Sequence, residues 1–375
     1  MPNTLWLSAV FLLPVIAAIF LYQLDTFEPA PYPNHEMPTP NQPPLFVPRR
    51  NSHMLQGSER IGEGQLPAPE DLAFNLETGV IYTGSEDGWI SRVQLNESVV
   101  EKWVNTGGRP LGIVHGIHGE VIVADADKGL LNISKEGIIK LLTDEAEGLK
   151  FKLTDGVDIG HDGLVYFTDA SHKYNLKEHI LDLLEGRPYG RLMSYDPSTQ
   201  KTRVLVRDLY FANGVAVSVD QTYVIFCETP MRRCKKYYIQ GARKGFVDTF
   251  VENLPGLPDN IRYDGEGQYW IALATGIYPW NLIQKYAFIR KVNGILLRYI
   301  ATPRLERNGG VIAVDLDGKP TAHYYDPNLF LSSSGIKIGE HLYCGSVVLP
   351  YIIRLNVSQY PATEIASLRM LIYII

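Results

Sequence analysis

The chain has 375 residues, of which 45% are hydrophobic and 20% are charged, and its formal net charge is −6. This composition excludes a disordered chain, and the lack of a basic excess argues against nucleic acid as a partner. Three cysteines are too few for a disulfide scaffold.

The first predicted element is an uncharged apolar run from Leu5 to Leu24. A helix of this length spans about 30 Å, the thickness of the hydrocarbon layer of a bilayer. We therefore expect residues 1–28 to form a transmembrane signal anchor with a lumenal body behind it, which makes a single-pass type II membrane protein. The alternative is a signal peptide whose cleavage releases a secreted protein.

A proline-rich segment follows, with the sequence "PAPYPNHEMPTPNQPPLFVP" at positions 29–48. Proline at this density favours an extended chain, so we expect residues 29–52 to be a linker. The folded domain is expected to cover residues 53–358, and residues 359–375 form a C-terminal tail of apolar character.

A short motif, X-small-apolar-x-apolar, then recurs six times along the folded domain. The copies are "EDLAF" at Glu70, "LGIVH" at Leu111, "DGVDI" at Asp155, "NGVAV" at Asn213, "DNIRY" at Asp259 and "SGIKI" at Ser334. Each copy has the alternation of a strand and is followed by a turn and further strands. Six such units predict an all-β fold, a six-bladed β-propeller.

A propeller blade has four strands, and the sixth unit has no obvious fourth strand after Asn356. The segment "HMLQGSERIG", which starts at His53 ahead of the first unit, is expected to complete this blade and close the ring.

Two units carry long insertions after their second strand. The first, at positions 172–188, places Leu176, Ile180, Leu183 and Leu184 on one helical face, and the second, at positions 277–309, is apolar and aromatic. Both should emerge at the face where the first strands begin, and we expect helical segments that form a lid over the central opening. The alternative is two insertions that only pack on the surface.

The first residue of each motif should stand at the channel entrance, because the first strand of every blade lines the channel. Four of these six positions carry oxygen donors, namely Glu70, Asp155, Asn213 and Asp259. Converging carboxylates repel each other, and a hard cation such as Ca²⁺ removes that repulsion. We therefore predict a Ca²⁺ site. The alternative is that Asp-Gly and Asn-Gly are turn dipeptides.

Three sequons agree with a lumenal body, and they begin at Asn96, Asn132 and Asn356. Cys227 and Cys234 are close enough in sequence to join a hairpin by a disulfide, and two reduced thiols are the alternative.

Long stretches resemble the strictosidine synthase-like proteins of plants and are similar to the adipocyte plasma membrane-associated proteins of animals. Among them are "LTDGVDIGHDGLVYFTDAS" at Leu153, "DLYFANGVAVSVDQTYVIFCETPMRRCKKYYI" at Asp208 and "LPGLPDNIRYDGEGQYWIAL" at Leu254. The resemblance covers about residues 55 to 358. It implies a six-bladed propeller in a wider group with paraoxonases, phosphotriesterases and gluconolactonases, and residence in the endoplasmic reticulum or vacuole.

The wider group holds a central Ca²⁺ with Glu, Asn, Asn and Asp side chains, and the resemblance carries these roles to Glu70, Asn213 and Asp259. Asp155 departs from the pattern, because an Asn is usual there, and makes the site more negative. Strictosidine synthases condense an amine with an aldehyde through a Glu, and Thr275 stands near that position in this chain. The resemblance therefore does not extend to that base.

The leading functional hypothesis is a metal-dependent hydrolase of esters or lactones. Asp259 or Asp155 would orient or deprotonate water. His172 is a further candidate base, and the alternative is that it is only a histidine of the lid or the surface. Aromatic residues of the second insertion would supply an apolar substrate pocket; they are Tyr278, Trp280 and Phe288. The alternatives are a binding module that has no catalytic activity and, third, an amine–aldehyde condensing enzyme.

Overall fold

The computed structural model describes residues 20–33, 45–95, 97–278, 280–299 and 306–364. Within these ranges the chain forms six antiparallel blades, and their first strands contact one another around a central channel. The predicted six-bladed β-propeller is therefore confirmed, including the strands expected fourth in the first five blades.

Each of the first three blades is a run of four consecutive strands. Blade 1 contains β3 (Leu72–Asn75), β4 (Val80–Gly84), β5 (Trp89–Gln94) and β6 (Val99–Asn105). Blade 2 contains β7 (Pro110–His115), β8 (Val121–Asp125), β9 (Gly129–Ile133) and β10 (Ile139–Thr143), and a small hairpin of β11 (Glu145–Ala146) and β12 (Leu149–Lys150) follows it. Blade 3 contains β13 (Thr154–Ile159), β14 (Val165–Asp169), β15 (Gly190–Asp196) and β16 (Lys201–Leu209).

The other three blades follow the same order up to the last strand of the ring. Blade 4 contains β17 (Ala212–Val217), β18 (Tyr223–Glu228), β19 (Arg233–Tyr238) and β20 (Val247–Val251). Blade 5 contains β21 (Gly256–Tyr263), β22 (Gln268–Gly276), β23 (Gly309–Asp315) and β24 (Pro320–Asp326). Blade 6 contains β25 (Ser332–Ile338), β26 (His341–Ser346), β27 (Ile352–Asn356) and, from the start of the domain, β2 (Glu59–Ile61).

The ring closes as the sequence predicts. Strand β2 pairs antiparallel with β27, and Arg60 faces Ile353 in the register. An N-terminal strand thus supplies the outer strand of the last blade and joins the beginning of the domain to its end.

The linker and the tail take a larger part in the domain than we expected. Strand β1 (Arg49–Asn51) adds to blade 5 by parallel pairing with β24, and β28 (Thr363–Glu364) pairs antiparallel with β1. Val47 is also buried. The folded unit therefore begins before His53 and includes part of the stretch assigned to the tail, because the outer edge of blade 5 offers unpaired backbone groups to both segments.

The core lies between neighbouring blades. The middle strands β8 and β14 are buried over their whole length, since each is covered by a blade on either side. One interblade cluster joins Ile122 and Leu130 of blade 2 to Val165, Phe167 and Met193 of blade 3. Such strands become continuous apolar runs in the sequence, because both of their faces are removed from water.

Both insertions contain helices, as predicted. The first forms a 3-10 turn (Leu176–Glu178) and α1 (His179–Glu185), and the second forms α2 (Trp280–Lys285) and α3 (Ala287–Tyr299), with α1 packed on α3. A further 3-10 turn (Thr229–Met231) lies in blade 4.

Within the described ranges we find no helix that combines the length and apolar character needed to cross a bilayer. The predicted signal anchor falls mostly on residues outside these ranges, and residues 20–24 are helical.

Candidate metal centre at the channel mouth

The six motif positions lie in matching places of their blades and are called the channel ring below: Glu70, Leu111, Asp155, Asn213, Asp259 and Ser334. The glycine that follows four of the ring residues, at positions 112, 156, 214 and 335, shows this register. A methyl group at Gly156 would stand 2.6 Å from the Asn213 carbonyl oxygen, and one at Gly214 would stand 2.5 Å from that of Asp259. Only glycine allows neighbouring inner strands to approach this closely.

The ring continues from the last blade to the first. The Ser334 hydroxyl donates to the Glu70 carbonyl oxygen at 2.7 Å, and the Ser333 hydroxyl donates to the same oxygen. The backbone that carries Glu70 is therefore fixed by blade 6 as well as by blade 1.

Two side-chain oxygens of the ring have no hydrogen-bond partner among the described residues. Glu70 accepts a hydrogen bond from the Asn260 amide at 2.6 Å through Oε1, while its Oε2 is buried and unpartnered. The Asn213 amide donates to Thr229 at 3.3 Å, and its Oδ1 is likewise buried and unpartnered. An unsatisfied buried acceptor is unfavourable, so both oxygens fit the role of cation ligands.

The three ring carboxyls disfavour ionisation, as expected for acids that share a confined channel. Burial raises the pKa of Asp155 to about 8, and the charges of Asp71 and Asp169 add to the shift. Burial, together with the neighbouring ring acids, also holds the pKa of Glu70 and of Asp259 well above the usual range. A bound divalent cation would favour the ionised forms.

Two arginines that we did not single out from the sequence lie beside this acidic group. Arg109 is buried two residues before Leu111, donates to the Ala68 carbonyl at 3.0 Å, and its charge opposes the pKa shifts of Glu70 and Asp155. Arg262 is buried deeper in the channel and pairs with Asp71. Their signal in the sequence is a charged residue within an inner strand, as for Arg262, or directly before one, as for Arg109.

An apolar layer covers one side of the ring at the mouth. It is formed by side chains of blades 2 to 5 and of the insertions, among them Leu111, Leu153, Phe211, Met231, Leu257 and Trp280. Apolar side chains of this kind are typical of the lining of small-molecule sites.

The ring is not a closed metal cage in this structure. In the described part of the chain, we find no three His, Cys, Asp or Glu side chains grouped as a metal site. The donor chemistry nonetheless fits a hard cation, because the ring offers carboxylate oxygens and one amide oxygen, and two of these oxygens are unpartnered.

The other candidate residues lie away from the ring. The His172 ring packs edge-on against Tyr189, with 5.3 Å between the ring centroids. Burial and the charge of Arg191 lower the pKa of His172. We find no contact between His172 and the ring acids among the described residues. A role of His172 as a base at the mouth therefore stays a prediction, and its described contact is with Tyr189.

The predicted aromatic pocket is divided. Trp280 is buried in the apolar layer, where its indole donates to the Pro230 carbonyl at 3.3 Å. Tyr278 and Phe288 are 76% and 58% exposed and face outward. The three side chains therefore have different surroundings, since one is buried and two are exposed, and their common role in a substrate pocket stays a prediction.

Thr275 stands near the position that the strictosidine synthase resemblance assigns to a catalytic Glu. Its hydroxyl donates to the Arg307 carbonyl at 2.9 Å and accepts from the Arg307 amide at 3.0 Å. Thr275 thus anchors the end of the second insertion and is not available as a base.

Cys227 and Cys234 are joined by a disulfide across β18 and β19, and Cys344 is buried and free. Of the three sequons, Asn132 lies in β9 and Asn356 ends β27, while Asn96 falls outside the described residues.

A second recess of about 630 Å³ lies between blades 2 and 3, at the opposite face of the propeller. Its acidic side chains serve local turns: Glu120 accepts from the His118 amide, and Asp162 accepts from the Leu164 amide. The ring therefore remains the better candidate for chemistry.

Comparison with known proteins identifies the family. A relative from Arabidopsis thaliana, protein strictosidine synthase-like 6, is 54% identical over 359 residues, which cover 94% of this chain and 95% of the relative. The chain belongs to the strictosidine synthase-like family. The strictosidine synthase family model matches residues 155–242, and the model of the strictosidine synthase-like N-terminal region matches residues 51–93.

This strictosidine synthase-like chain is also similar to animal proteins. The adipocyte plasma membrane-associated protein of Bos taurus is 34% identical over 381 residues, covering 94% of this chain and 90% of the relative. The resemblance noted in the sequence is thus confirmed for both groups.

Solved structures share the fold at low identity. A gluconolactonase from Xanthomonas campestris aligns with a TM-score of 0.58 at 15% identity, over 85% of this chain and 98% of that one. A calcium-binding protein, regucalcin, from Agrobacterium tumefaciens aligns with a TM-score of 0.57 at 14% identity, over 83% of this chain and 95% of that one. At these identities the likeness establishes the fold alone.

Proposed function

We propose that this strictosidine synthase-like protein is a Ca²⁺-dependent hydrolase of ester or lactone substrates. The observation that carries the proposal is the channel ring, where three carboxyls with raised pKa values accompany two unpartnered acceptor oxygens. The cation would be held by Glu70, Asp155, Asn213 and Asp259. The presence of a gluconolactonase and of a calcium-binding protein, regucalcin, among proteins of the same fold supports this choice.

The ring residues and their neighbours would have different roles in hydrolysis. Ca²⁺ supplies Lewis-acid polarisation of a carbonyl oxygen when it is bound. Judged by its exposed surface, Asp259 is only partly buried. A bound cation would favour its ionised form despite its raised pKa, so its carboxylate can orient a water molecule or accept a proton from it. The apolar layer around Trp280 excludes water from one side of the substrate, and Arg109 limits the negative charge next to Glu70.

The test is to measure Ca²⁺ binding by calorimetry and the hydrolysis of phenyl acetate and simple lactones with and without a chelator. We expect saturable binding and chelator-sensitive turnover. The variant Glu70→Gln should lose both activities, whereas Glu59→Gln, which alters an exposed carboxylate in β2, should keep them. Ca²⁺ binding without turnover on any ester or lactone would favour the binding module instead.

A binding module that has no catalytic activity is the second candidate. It is favoured by the lack of a grouped carboxylate site in the described residues. Amine–aldehyde condensation is disfavoured, because Thr275 stands near the position that the resemblance assigns to the required Glu, and its hydroxyl is engaged by Arg307.

We further propose that the propeller resides in the lumen of the endomembrane system. The disulfide between Cys227 and Cys234 is typical of an oxidising compartment, and Asn132 and Asn356 are both partly accessible. Treatment of the protein from its native cells with a glycosidase should increase its mobility on a gel. Unchanged mobility together with free Cys227 and Cys234 thiols would contradict a lumenal location.

A further inference from the structure

Helix α3 has its polarity reversed relative to a helix on a water-soluble protein. Two of its three charged residues, Arg290 and Lys291, face the protein and are 1% and 6% exposed. The third, Arg298, is exposed and pairs with Asp25. Its outward stripe is apolar and consists of Phe288, Val292, Leu296 and Tyr299. A surface helix in water normally has the opposite arrangement, with charges outside.

Hydrogen bonds and an ion pair fix the charged face of α3 against the protein. The Arg290 guanidinium donates to the carbonyls of Leu184 at 3.0 Å and Ala30 at 2.7 Å, and it lies over the Tyr32 ring. Lys291 pairs with Glu28 at 2.5 Å. Rotating α3 to hide its apolar stripe would break these contacts and leave a buried charge unpaired.

The stripe is part of a larger apolar area. Among the described residues, 23 large apolar side chains are exposed; three of them lie in residues 20–24 and seven in residues 278–299, which makes ten. We call these ten the lid surface: Phe20, Leu21, Leu24, Tyr278, Leu282, Tyr286, Phe288, Val292, Leu296 and Tyr299. An apolar concentration of this kind marks an interaction surface, and its tyrosines are typical of the membrane–water interface.

The N-terminal segment identifies the occupant. The uncharged run from Leu5 to Leu24 ends next to Asp25, and Asp25 is paired with Arg298 of α3 at 3.1 Å. Phe27 packs so tightly on Gly294 that a methyl group there would lie 2.4 Å from its ring. The point where the apolar run ends is thus fixed on the side of α3, so a bilayer that receives this run lies against the lid surface.

We propose that the lid surface rests in the interfacial layer of a lipid bilayer, with α2 and α3 lying parallel to the membrane plane. The propeller is then held by its mouth against the membrane, and the channel ring opens toward lipid. The proposal does not depend on hydrolysis, since it concerns the orientation of the domain. It extends the expected anchor, which alone would leave the domain free to tumble on its linker.

Site-specific fluorescence on the full chain tests this orientation. Phe288→Cys is labelled with an environment-sensitive fluorophore and the protein is reconstituted in phosphatidylcholine vesicles. The matched control is Phe246→Cys, because Phe246 is 63% exposed and lies between β19 and β20 at the opposite face. Cys344 is buried and the other two cysteines are bonded, so the label reports the chosen position.

We expect the label at position 288 to emit at shorter wavelength in vesicles and to be quenched several-fold more by nitroxide lipids than the label at position 246. Raising the salt concentration should leave the difference intact, because apolar burial drives it. Equal quenching of the two labels by a water-soluble quencher would overturn the proposal. Shielding at position 288 without vesicles would also overturn it, because a second copy or another part of the chain would then cover the surface.

A second variant separates lipid contact from folding. Val292→Ser, Leu296→Ser and Tyr299→Ser are combined in the chain labelled at position 288. These side chains are exposed, so the thermal midpoint should change little, while the label should return to the aqueous signal. An unchanged lipid signal in this variant would contradict the assigned surface.

Discussion

Arg262 of blade 5 reaches through the central channel to Asp71 of blade 1, with its Nε 3.1 Å from Oδ1 of the carboxylate. The same guanidinium donates to the carbonyl of Ile113 in blade 2 at 2.8 Å and to that of Val157 in blade 3 at 3.2 Å. One side chain therefore ties four blades together below the channel ring.

Replacing Arg262 by Met should destabilise the propeller by about 3–5 kcal/mol, because the Asp71 carboxylate is left buried without its partner. Denaturant unfolding measures this loss. The double variant Asp71→Asn with Arg262→Met should recover part of it. Arg354→Met removes an ion pair with the exposed Glu59 and should cost less than about 1 kcal/mol. Equal losses at Arg262 and Arg354 would show that the channel pair does not tie the blades.

Asp155→Asn should stabilise the protein without Ca²⁺ by about 1 kcal/mol or more at pH 9, since it removes a carboxylate whose ionisation the channel opposes. In the unmodified protein, Ca²⁺ at 100 times its dissociation constant should add about 2.7 kcal/mol to the free energy of unfolding. In the Asp155→Asn variant, the same Ca²⁺ concentration should add less. Thermal melts with chelator and with Ca²⁺ compare the two proteins, and an identical response to Ca²⁺ would remove Asp155 from the ligand set.

Gly214→Ala should destabilise the domain by about 2 kcal/mol or more and weaken Ca²⁺ binding, because the new methyl group meets the backbone of Asp259 and pushes blades 4 and 5 apart at the ring. The control is Gly160→Ala. There the nearest atom is a carboxylate oxygen of the exposed Asp162 side chain, which can move aside. Stability and Ca²⁺ affinity are measured on both variants, and a tolerated Gly214→Ala would show that the ring is looser than the structure indicates.

The stability of the protein should depend on pH through Asp182, a buried residue of α1. Burial raises the pKa of its carboxyl to about 7, and its Oδ2 has no hydrogen-bond partner among the described residues. The folded state thus binds this proton more tightly than the unfolded state, in which the pKa of Asp is about 3.9. The stability that this carboxyl contributes is therefore fully present below about pH 4 and is lost as the pH rises to 7.

Asp182→Asn removes that loss. Its thermal midpoint should exceed that of the unmodified protein at pH 8, by a free energy of at most about 4 kcal/mol, and should match it at pH 4. Melts at several pH values test this expectation, with Asp196→Asn as the control at an exposed turn. A difference that does not vary between pH 4 and pH 8 would contradict the assignment.

The blades and the ring could be predicted from the sequence, because both follow from local rules. Period-two alternation fixes which face of each strand is buried, and glycine after the ring residue, as at Gly156 and Gly214, sets the distance between neighbouring inner strands. Once these positions are aligned, the ring donors come together by geometry. The closing role of β2 followed from counting strands in the last blade.

The contacts across the channel could not be predicted in this way. Whether Arg262 pairs with Asp71, and how Arg109 lies beside Glu70, depends on the length and direction of side chains that meet only in the closed ring. A charged residue in an apolar inner strand marks such positions without naming their partners. Asn260 donates a hydrogen bond to the Glu70 carboxylate. Because Asn260 is neutral, the sequence gives even less indication that it contacts a ring residue.

The orientation of α3 was missed for a different reason. An apolar and aromatic insertion beside a channel mouth favours a pocket lining when water is assumed outside. In the structure, the buried face of α3 instead carries Arg290, which donates to the carbonyls of Ala30 and Leu184. These partners come from two distant parts of the chain, so the sequence around α3 does not reveal them. The outward position of Phe288 follows from those contacts and not from its own neighbours in the sequence.

The closing strand β2 also sets an order of events during biosynthesis. Residues 59–61 emerge from the ribosome early, yet their partner β27 is made almost 300 residues later. The early strand must therefore wait with open backbone groups until nearly the whole polypeptide has been translated. Truncated chains that stop before Ile352 have no such partner and should be retained by chaperones and degraded, so the seam also serves as a checkpoint for full-length synthesis.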